Sequence, residues 1–153
     1  MSEPEGSPPL KLRAADAADL DVVAACLQDA LVAVDDIACQ ADERRFVLVA
    51  NRFKWETTPG PRNAGATYER VLCGLSFEGV RGVQVRNLDL GAPAQFLDLL
   101  HLALGASAGD TPVVELTFAG DAAIRLEVEA LECHVEDFGT PWPTQWCPAH
   151  ETG

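Results

Sequence analysis

Residues 113–128 read VVELTFAGDAAIRLEV and decide the fold. Apolar and polar side chains alternate on both sides of Gly120-Asp121, which is the pattern of two extended strands joined by a tight turn. A Gly-Asp pair between two alternating runs is a strong hairpin signal, because glycine accepts the backbone angles that such turns need. We therefore predict a β-hairpin, and its apolar face is formed by Val114, Leu116, Phe118, Ile124, Leu126 and Val128.

The segment after the hairpin fits two patterns. Residues 124–138 place apolar side chains at helical spacing, but the first of them alternate as a strand does. We favour the strand, with a bulge near Ala130 that turns Leu131, Cys133 and Val135 toward the core. Residues 140–153 carry three prolines and two tryptophans, and they predict an irregular tail with Trp142 packed on the body of the protein.

The N-terminal part predicts one helix. Residues 1–9 are rich in Pro, Glu and Ser and predict a disordered tail, whereas Lys11–Ala14 alternate as a short first strand. Asp16 is a typical N-cap residue, and Asp19 places a negative charge in the first turn. An apolar stripe at spacings of three and four predicts a helix of about 18 residues that ends at Asp35-Asp36. The stripe consists of Leu20, Val23, Leu27, Leu31 and Val34.

Two strands and a loop are predicted after the helix. Ile37–Gln40 and Arg45–Phe53 read as strands, joined by a turn at Ala41–Arg44. The second strand is apolar on both faces, and this is typical of a strand that is central or covered on both sides. Residues 57–66 (TTPGPRNAGA) contain the glycine and proline residues that are typical of a loop.

The middle of the chain predicts further strands. Tyr68–Phe77 alternates, and Glu78-Gly79 reads as a turn from which Val80–Leu90 returns beside it. Residues 91–93 interrupt the pattern, and Phe96–Leu104 fits either a helix or a strand. We favour the strand, with Asp98 as the exception to its apolar face. The side chains expected to face inward are Phe96, Leu100, Leu102 and Leu104.

These elements predict a single α+β domain over residues 10–139. The N-terminal helix packs on a curved, mainly antiparallel sheet of about six to eight short strands. Successive hairpins exclude a doubly wound parallel sheet, because parallel crossovers would need helices between the strands. By analogy of fold, partial closure into a pleckstrin-homology-like barrel is left open.

The net charge of the chain limits the classes of partner that it can bind. The 153 residues carry a formal net charge of −13 at pH 7. The electrostatic field of so negative a protein repels phosphate groups, and this argues against nucleic acid and anionic membranes as partners. The distribution is uneven, since residues 44–86 carry +5 and the rest of the chain −18.

The cysteine content and the pattern of the N-terminus indicate the cellular compartment. Five widely spaced cysteines, in a chain long enough to bury a core, favour reduced thiols over a disulfide framework. The N-terminus lacks the pattern of a secretory signal, and no apolar run approaches the roughly 18 residues of a membrane span. The sequence therefore predicts a cytoplasmic protein.

The best candidate for a ligand- or partner-binding site is a basic and aromatic cluster. It consists of Arg52, Lys54, Trp55, Tyr68 and Arg70. If two adjacent strands carry these residues on a solvent face, guanidinium groups and an indole can hold a carboxylate, a phosphate or an acidic partner segment. The alternative, which we favour, is cross-strand pairing of arginines with glutamates on a wet sheet face.

Other chemistry is weakly indicated. Cys133-His134 and Cys147-x-x-His150 offer four zinc ligand types, but neighbouring strand residues point to opposite faces and do not easily share one ion. Cys73 with His101 is a nucleophile-and-base pair in principle, although Cys73 lies on an apolar strand face and reads as inert. Glu132 and Glu136-Asp137 read as a solvated acidic face. We accordingly predict no catalytic residue, metal or cofactor.

The chain resembles a family of short bacterial proteins filed as domain of unknown function 2948. The resemblance runs from about Leu10 to Trp142 and rests on dispersed blocks. They are Leu10–Ala14, Asp19–Ala30, Glu43–Phe46, Asn51–Glu56, Tyr68–Leu72, Leu116–Gly120, Ile124–Glu129, Asp137–Gly139 and Trp142. It implies a bacterial, cytosolic protein and no particular activity.

We therefore expect a non-catalytic binding or protein-interaction module. Its partner is either a second copy of the chain, giving a homodimer, or an acidic protein. The alternative is a small enzyme or small-molecule carrier with a pocket between helix and sheet.

Overall fold

The computed structural model describes residues 9–54, 68–89, 95–105 and 111–144. Within these ranges the chain forms one helix, α1 (Ala17–Cys26), a 3₁₀ turn at Ala41–Glu43, and nine strands. The strands are β1 (Lys11–Ala14), β2 (Ala30–Gln40), β3 (Arg45–Phe53), β4 (Tyr68–Glu78), β5 (Val80–Arg86), β6 (Phe96–Gly105), β7 (Val113–Phe118), β8 (Ala122–Val128) and β9 (Cys133–Thr144). Residues 1–8 of the predicted N-terminal tail at 1–9, the loop at 57–66, the break at 91–93 and residues 145–153 of the predicted C-terminal tail lie outside the described residues.

All nine strands belong to one antiparallel sheet in the order β1-β9-β4-β3-β2-β6-β7-β8-β5. The protein is mostly β, with one N-terminal helix in the described ranges, and α1 buries Leu20 and Val23, followed by its C-cap residue Leu27, in the common core. The sheet is not closed, so the pleckstrin-homology-like barrel is not formed, and nine strands replace the six to eight expected. No helix of the described residues is long and apolar enough to cross a membrane.

The predicted hairpin is confirmed. Strands β7 and β8 pair antiparallel, with Leu116 opposite Ile124 and Val114 opposite Leu126. These four side chains are fully buried. The turn between them uses Gly120 at φ 83° and Asp121 at φ 64°, the left-handed backbone that the Gly-Asp signal predicts.

The helix begins as predicted but is shorter. Asp16 caps it by accepting a hydrogen bond from the backbone N–H of Asp19 at 2.8 Å. It ends at Cys26, and Asp29 at φ 63° turns the chain into β2, so Leu31 and Val34 belong to a strand. The sequence Ala30–Val34 is apolar at every position, so periodicity alone could not separate helix from strand.

The predicted return of Val80–Leu90 beside Tyr68–Phe77 is wrong. Strands β4 and β5 are joined by Gly79 alone, yet they stand third and ninth in the sheet. In a flat sheet that separation would be about 29 Å, whereas one residue spans about 3.8 Å. The sheet must therefore curl until its two halves face each other across one core.

A second crossover runs beside the first. The connection from β8 to β9 also passes between the two halves, and Glu129 N–H donates to the Gly79 carbonyl at 2.8 Å. Glu78 N–H likewise donates to the Glu132 carbonyl at 3.0 Å. The segment after Val128 is thus extended, as favoured, but it forms a separate strand rather than a continuation of β8.

Two details of the late strands differ from the predictions. In β6 a register shift between Leu99 and His101 moves the inward face, so Leu97, Leu99 and Leu102 are buried, while Phe96 is 71% exposed. Leu100 and Leu104 also face solvent. In β9, Leu131, Cys133 and Val135 do face the core, but the strand extends to Thr144, so the predicted irregular tail does not begin at residue 140.

Candidate functional site

The predicted basic cluster lies in the interior. Arg52 lies at the end of β3, Lys54 directly follows that strand, and Arg70 lies on β4 opposite Phe53. Their relative exposures are 0%, 3% and 5%, so the expected common solvent face is wrong. Trp55 lies outside the described residues, and Tyr68 is placed by the backbone pairing of β4 with Thr144.

Arg52 forms a buried, two-pronged ion pair with Asp137 on β9. Its Nε donates to Oδ1 at 2.8 Å and its Nη2 to Oδ2 at 2.7 Å. The same carboxylate accepts the Leu10 N–H at 2.9 Å, so one acid joins β3, β9 and the chain entering β1. Burial alone raises the pKa of Asp137, but the hydrogen bonds from Arg52 and Leu10 outweigh it and hold that pKa below its usual value. Asp137 is therefore a structural anion and does not belong to the solvated acidic face predicted for it.

Arg70 and Lys54 are also held by groups within the protein. Arg70 donates to the side chain and the carbonyl of Asn51 and to the carbonyl of Asp29, and its guanidinium carbon lies 5.8 Å from the centre of the Phe53 ring. The ammonium group of Lys54 lies 3.7 Å from the Glu69 carboxylate. Ligand binding at the predicted residues stays a prediction, and the described contacts are those of an internal polar cluster that ties strands together.

The side of the sheet away from the core carries an open groove of about 500 Å³, which we call the outer trough. Its floor is formed by half-buried Val47 and Val49 of β3, by Gly74 of β4 and by Phe138 of β9, which is 45% exposed. The register places Val49, Gly74 and Glu136 in one row across three strands. An apolar floor of this size with a few polar groups at its rim is the usual composition of a binding site.

Glycine and aromatic side chains shape the trough. A Cβ atom at Gly74 would lie 3.9 Å from Cε2 of Phe138, so the ring reaches over the glycine. The rim carries Asp36, Ser76, His134 and Glu136. His134 is already held, because its Nε2 lies 2.7 Å from Glu132, which also accepts two hydrogen bonds from Arg13. These bonds from Arg13 and His134 lower the pKa of Glu132 to about 2.

A second cleft of about 360 Å³ separates the turn between β2 and β3 from the start of β5. Three arginines line it, and we call it the arginine cleft, defined by Arg44, Arg45 and Arg81. The sequence shows that residues 44–86 are positively charged as a whole, but it does not distinguish the arginines of this cleft from the buried ones. The alternation of β3 predicts a second apolar face at Val47 and Val49, but no local sequence signal places Phe138 beside them.

The reactive groups singled out in the sequence are held in unreactive settings. Cys73 is fully buried, and burial raises its pKa to about 12, so it is not a thiolate nucleophile near neutral pH. Cys133 faces the core while His134 lies on the outer face, as strand geometry predicts. In the described residues no group of three or more metal-ligating side chains comes together, and Cys147 and His150 lie outside those residues.

Comparison with known proteins places the chain in a family. No curated protein and no solved structure matches it. The model of the family described as "Protein of unknown function (DUF2948)" matches residues 10–150, which is nearly the whole chain and includes every described strand. The chain therefore belongs to the DUF2948 family.

Proposed function

We propose that the chain is a non-catalytic binding module that docks a protein partner on the outer trough. The observation that carries this proposal is the position of β3. It is a central strand, flanked by β2 and β4, and it is apolar on both faces. Its inner face enters the core, whereas Val47 and Val49 on its outer face are covered by no other element of the described residues.

Such a strand is normally covered on both sides. The floor of the outer trough supplies a docking place for an apolar side chain of the partner, and the rim supplies polar groups that fix its orientation. The partner is either another protein or a second copy of this chain. The net charge of −13 opposes self-association, so a different protein is the better match.

The packing of α1 favours this proposal over a carrier with a pocket between helix and sheet. Leu20, Val23 and Leu27 are each at most 1% exposed and contact the sheet directly. The buried thiol of Cys73 likewise gives no support to cysteine catalysis.

Photo-crosslinking from the floor of the trough tests the proposal. The photoreactive residue p-benzoylphenylalanine replaces Phe138 in the chain expressed in its own host cells. After irradiation, the masses of the crosslinked adducts are measured by mass spectrometry. The matched control carries the same residue in place of Phe96, which is also an exposed aromatic but lies on β6. We expect defined adducts from position 138 that are absent from position 96.

A second variant tests whether formation of the adducts depends on the apolar floor of the outer trough. Val49→Asp places a charge beside Gly74 and should abolish the adducts from position 138 while the protein keeps its circular dichroism spectrum. An adduct of twice the mass of the chain assigns the partner as a second copy. Identical adducts from both positions, or adducts that persist in Val49→Asp, would contradict docking on the trough.

A further inference from the structure

Three of the bases at the surface of this acidic chain lie together at the arginine cleft. Of the bases between residues 44 and 86, Arg52, Lys54 and Arg70 are buried. Arg44, Arg45 and Arg81 line one cleft at the surface, although the chain as a whole carries −13. Three guanidinium groups around an open cleft favour a ligand that carries several carboxylates.

Two arginines of the cleft already bind carboxylate groups within the protein. Arg44 pairs with Glu129, and Arg45 donates to Glu78 at 2.9 Å and to Glu43 at 3.2 Å. Glu43 and Glu129 are exposed and Glu78 is half-buried. Ion pairs at the surface contribute little stability, so the carboxylates of a binding partner can exchange with these side chains. Among the described residues no carboxylate forms an ion pair with Arg81, which is exposed, so its guanidinium group is accessible to an external acid.

The cleft borders the free edge of the sheet. Strand β5 pairs with β8 on one side and with no described strand on the other. Its sequence, VRGVQVR, contains two arginines and no acid. The backbone of an edge strand is a template for a further strand, and its arginines discourage pairing with a second copy of the same edge.

We propose that the arginine cleft binds an extended acidic segment of a protein partner, which adds as a strand to the free edge of β5. Its carboxylates contact Arg81 and Arg44, and its backbone pairs with residues 82–86. A peptide is favoured over nucleic acid because it satisfies the edge backbone and carries fewer negative charges toward an acidic protein. This surface is separate from the outer trough and does not depend on the function proposed there.

Fluorescence anisotropy with designed peptides tests the inference. The probe is a fluorescein-labelled peptide of about eight residues, a length that covers β5, in which glutamate alternates with threonine. One control peptide has glutamine in place of glutamate, and another has proline in place of threonine. We expect the glutamate probe to bind and both controls to bind at least about tenfold more weakly, since one lacks the charge and the other cannot pair as a strand.

Matched variants separate the cleft from the total charge. Arg81→Glu should weaken the probe by about tenfold or more, whereas Lys11→Glu, the same charge change on the opposite edge strand β1, should change it by less than about twofold. Equal losses in both variants, undiminished binding of the proline peptide, or no binding of the glutamate probe would overturn the inference. Tighter binding of a single-stranded oligothymidylate than of the peptide would overturn it as well. The arginine cleft and the outer trough share no lining residue, so we expect Gly74→Ala to leave this binding within about twofold of that of the natural protein, and failure here is distinct from failure of the outer trough.

Discussion

At the scale of single residues, the buried pair of Arg52 and Asp137 has the largest predicted effect. In Asp137→Asn the guanidinium of Arg52 loses its charged partner while it remains fully buried, and removing one member of such a pair costs about 3–5 kcal/mol. Urea unfolding measures this loss. The double variant Arg52→Met/Asp137→Asn removes both charges and keeps an oxygen for the Leu10 N–H, so we expect it to be more stable than Asp137→Asn alone.

The control for that measurement is an exposed pair. Glu115 lies 3.9 Å from Arg125 and both side chains are at least 40% exposed, so Glu115→Gln should cost less than about 1 kcal/mol. Additive losses in the double variant, or equal losses from Glu115→Gln and Asp137→Asn, would contradict the assigned role of the buried pair.

The same carboxylate predicts a dependence of stability on pH. The pKa of Asp137 is lower in the folded protein than in the unfolded chain, so the unfolded chain binds the proton first as the pH falls. The contribution of the pair is complete above the unfolded pKa of about 3.9 and is lost as the pH falls through the folded pKa. The difference in unfolding free energy between the natural protein and Asp137→Asn should therefore narrow below about pH 4. A difference that stays constant from neutral pH to about pH 3 would contradict this.

At the scale of elements, Gly74 in the middle of β4 offers a clear test of the outer trough. Glycine inside a strand costs about 0.5–1 kcal/mol relative to alanine, and a Cβ atom here meets only the Phe138 ring at ordinary contact distance. Gly74→Ala should therefore raise the unfolding free energy by about that amount, while partly filling the floor.

The matched control is Gly79→Ala. Gly79 has φ 68°, which a residue with a side chain adopts at a cost of about 1–2 kcal/mol, so the same chemical change should destabilise there. Thermal unfolding of both variants measures the contrast. A loss of stability in Gly74→Ala would show that the outer face is more tightly packed than the structure describes.

The elements also show what local sequence patterns can and cannot predict. Strand β3 and the hairpin of β7 and β8 were predicted well, because alternation and turn residues are local signals. The predicted helix end is wrong because Ala30–Val34 is apolar throughout. The predicted inward face of β6 is confirmed only at Leu102, because a bulge near Leu100 reverses the alternation. The burial of Arg52 could not be predicted, since its partner Asp137 lies 85 residues away in the sequence.

At the scale of the whole molecule, the two crossovers beside Gly79 decide which strands become edges. Because β5 leaves β4 at once for the far end of the sheet, it has a neighbour on one side within the described residues, and the same is true of β1. Strands β3 and β4 have neighbours on both sides. Pairing of this kind cannot be read from consecutive strands, which pair with each other in most sheets.

The edge positions predict a pattern of amide hydrogen exchange. Amides in the interior of a sheet open only with large parts of the fold, whereas edge amides open locally. We therefore expect peptides from β3 and β4 to exchange at least about tenfold more slowly than peptides from β5 when exchange is followed by mass spectrometry. Strand β1 is the internal control, because it is also an edge but lies outside the arginine cleft.

If the amides of β5 exchanged as slowly as those of β3 at every protein concentration, another part of the chain would cover the edge of β5. If their exchange became slow only at high protein concentration, a second copy of the chain would cover that edge. Fast exchange in β5 that slows on addition of the glutamate peptide, with β1 unchanged, is the result that an open edge beside the arginine cleft requires.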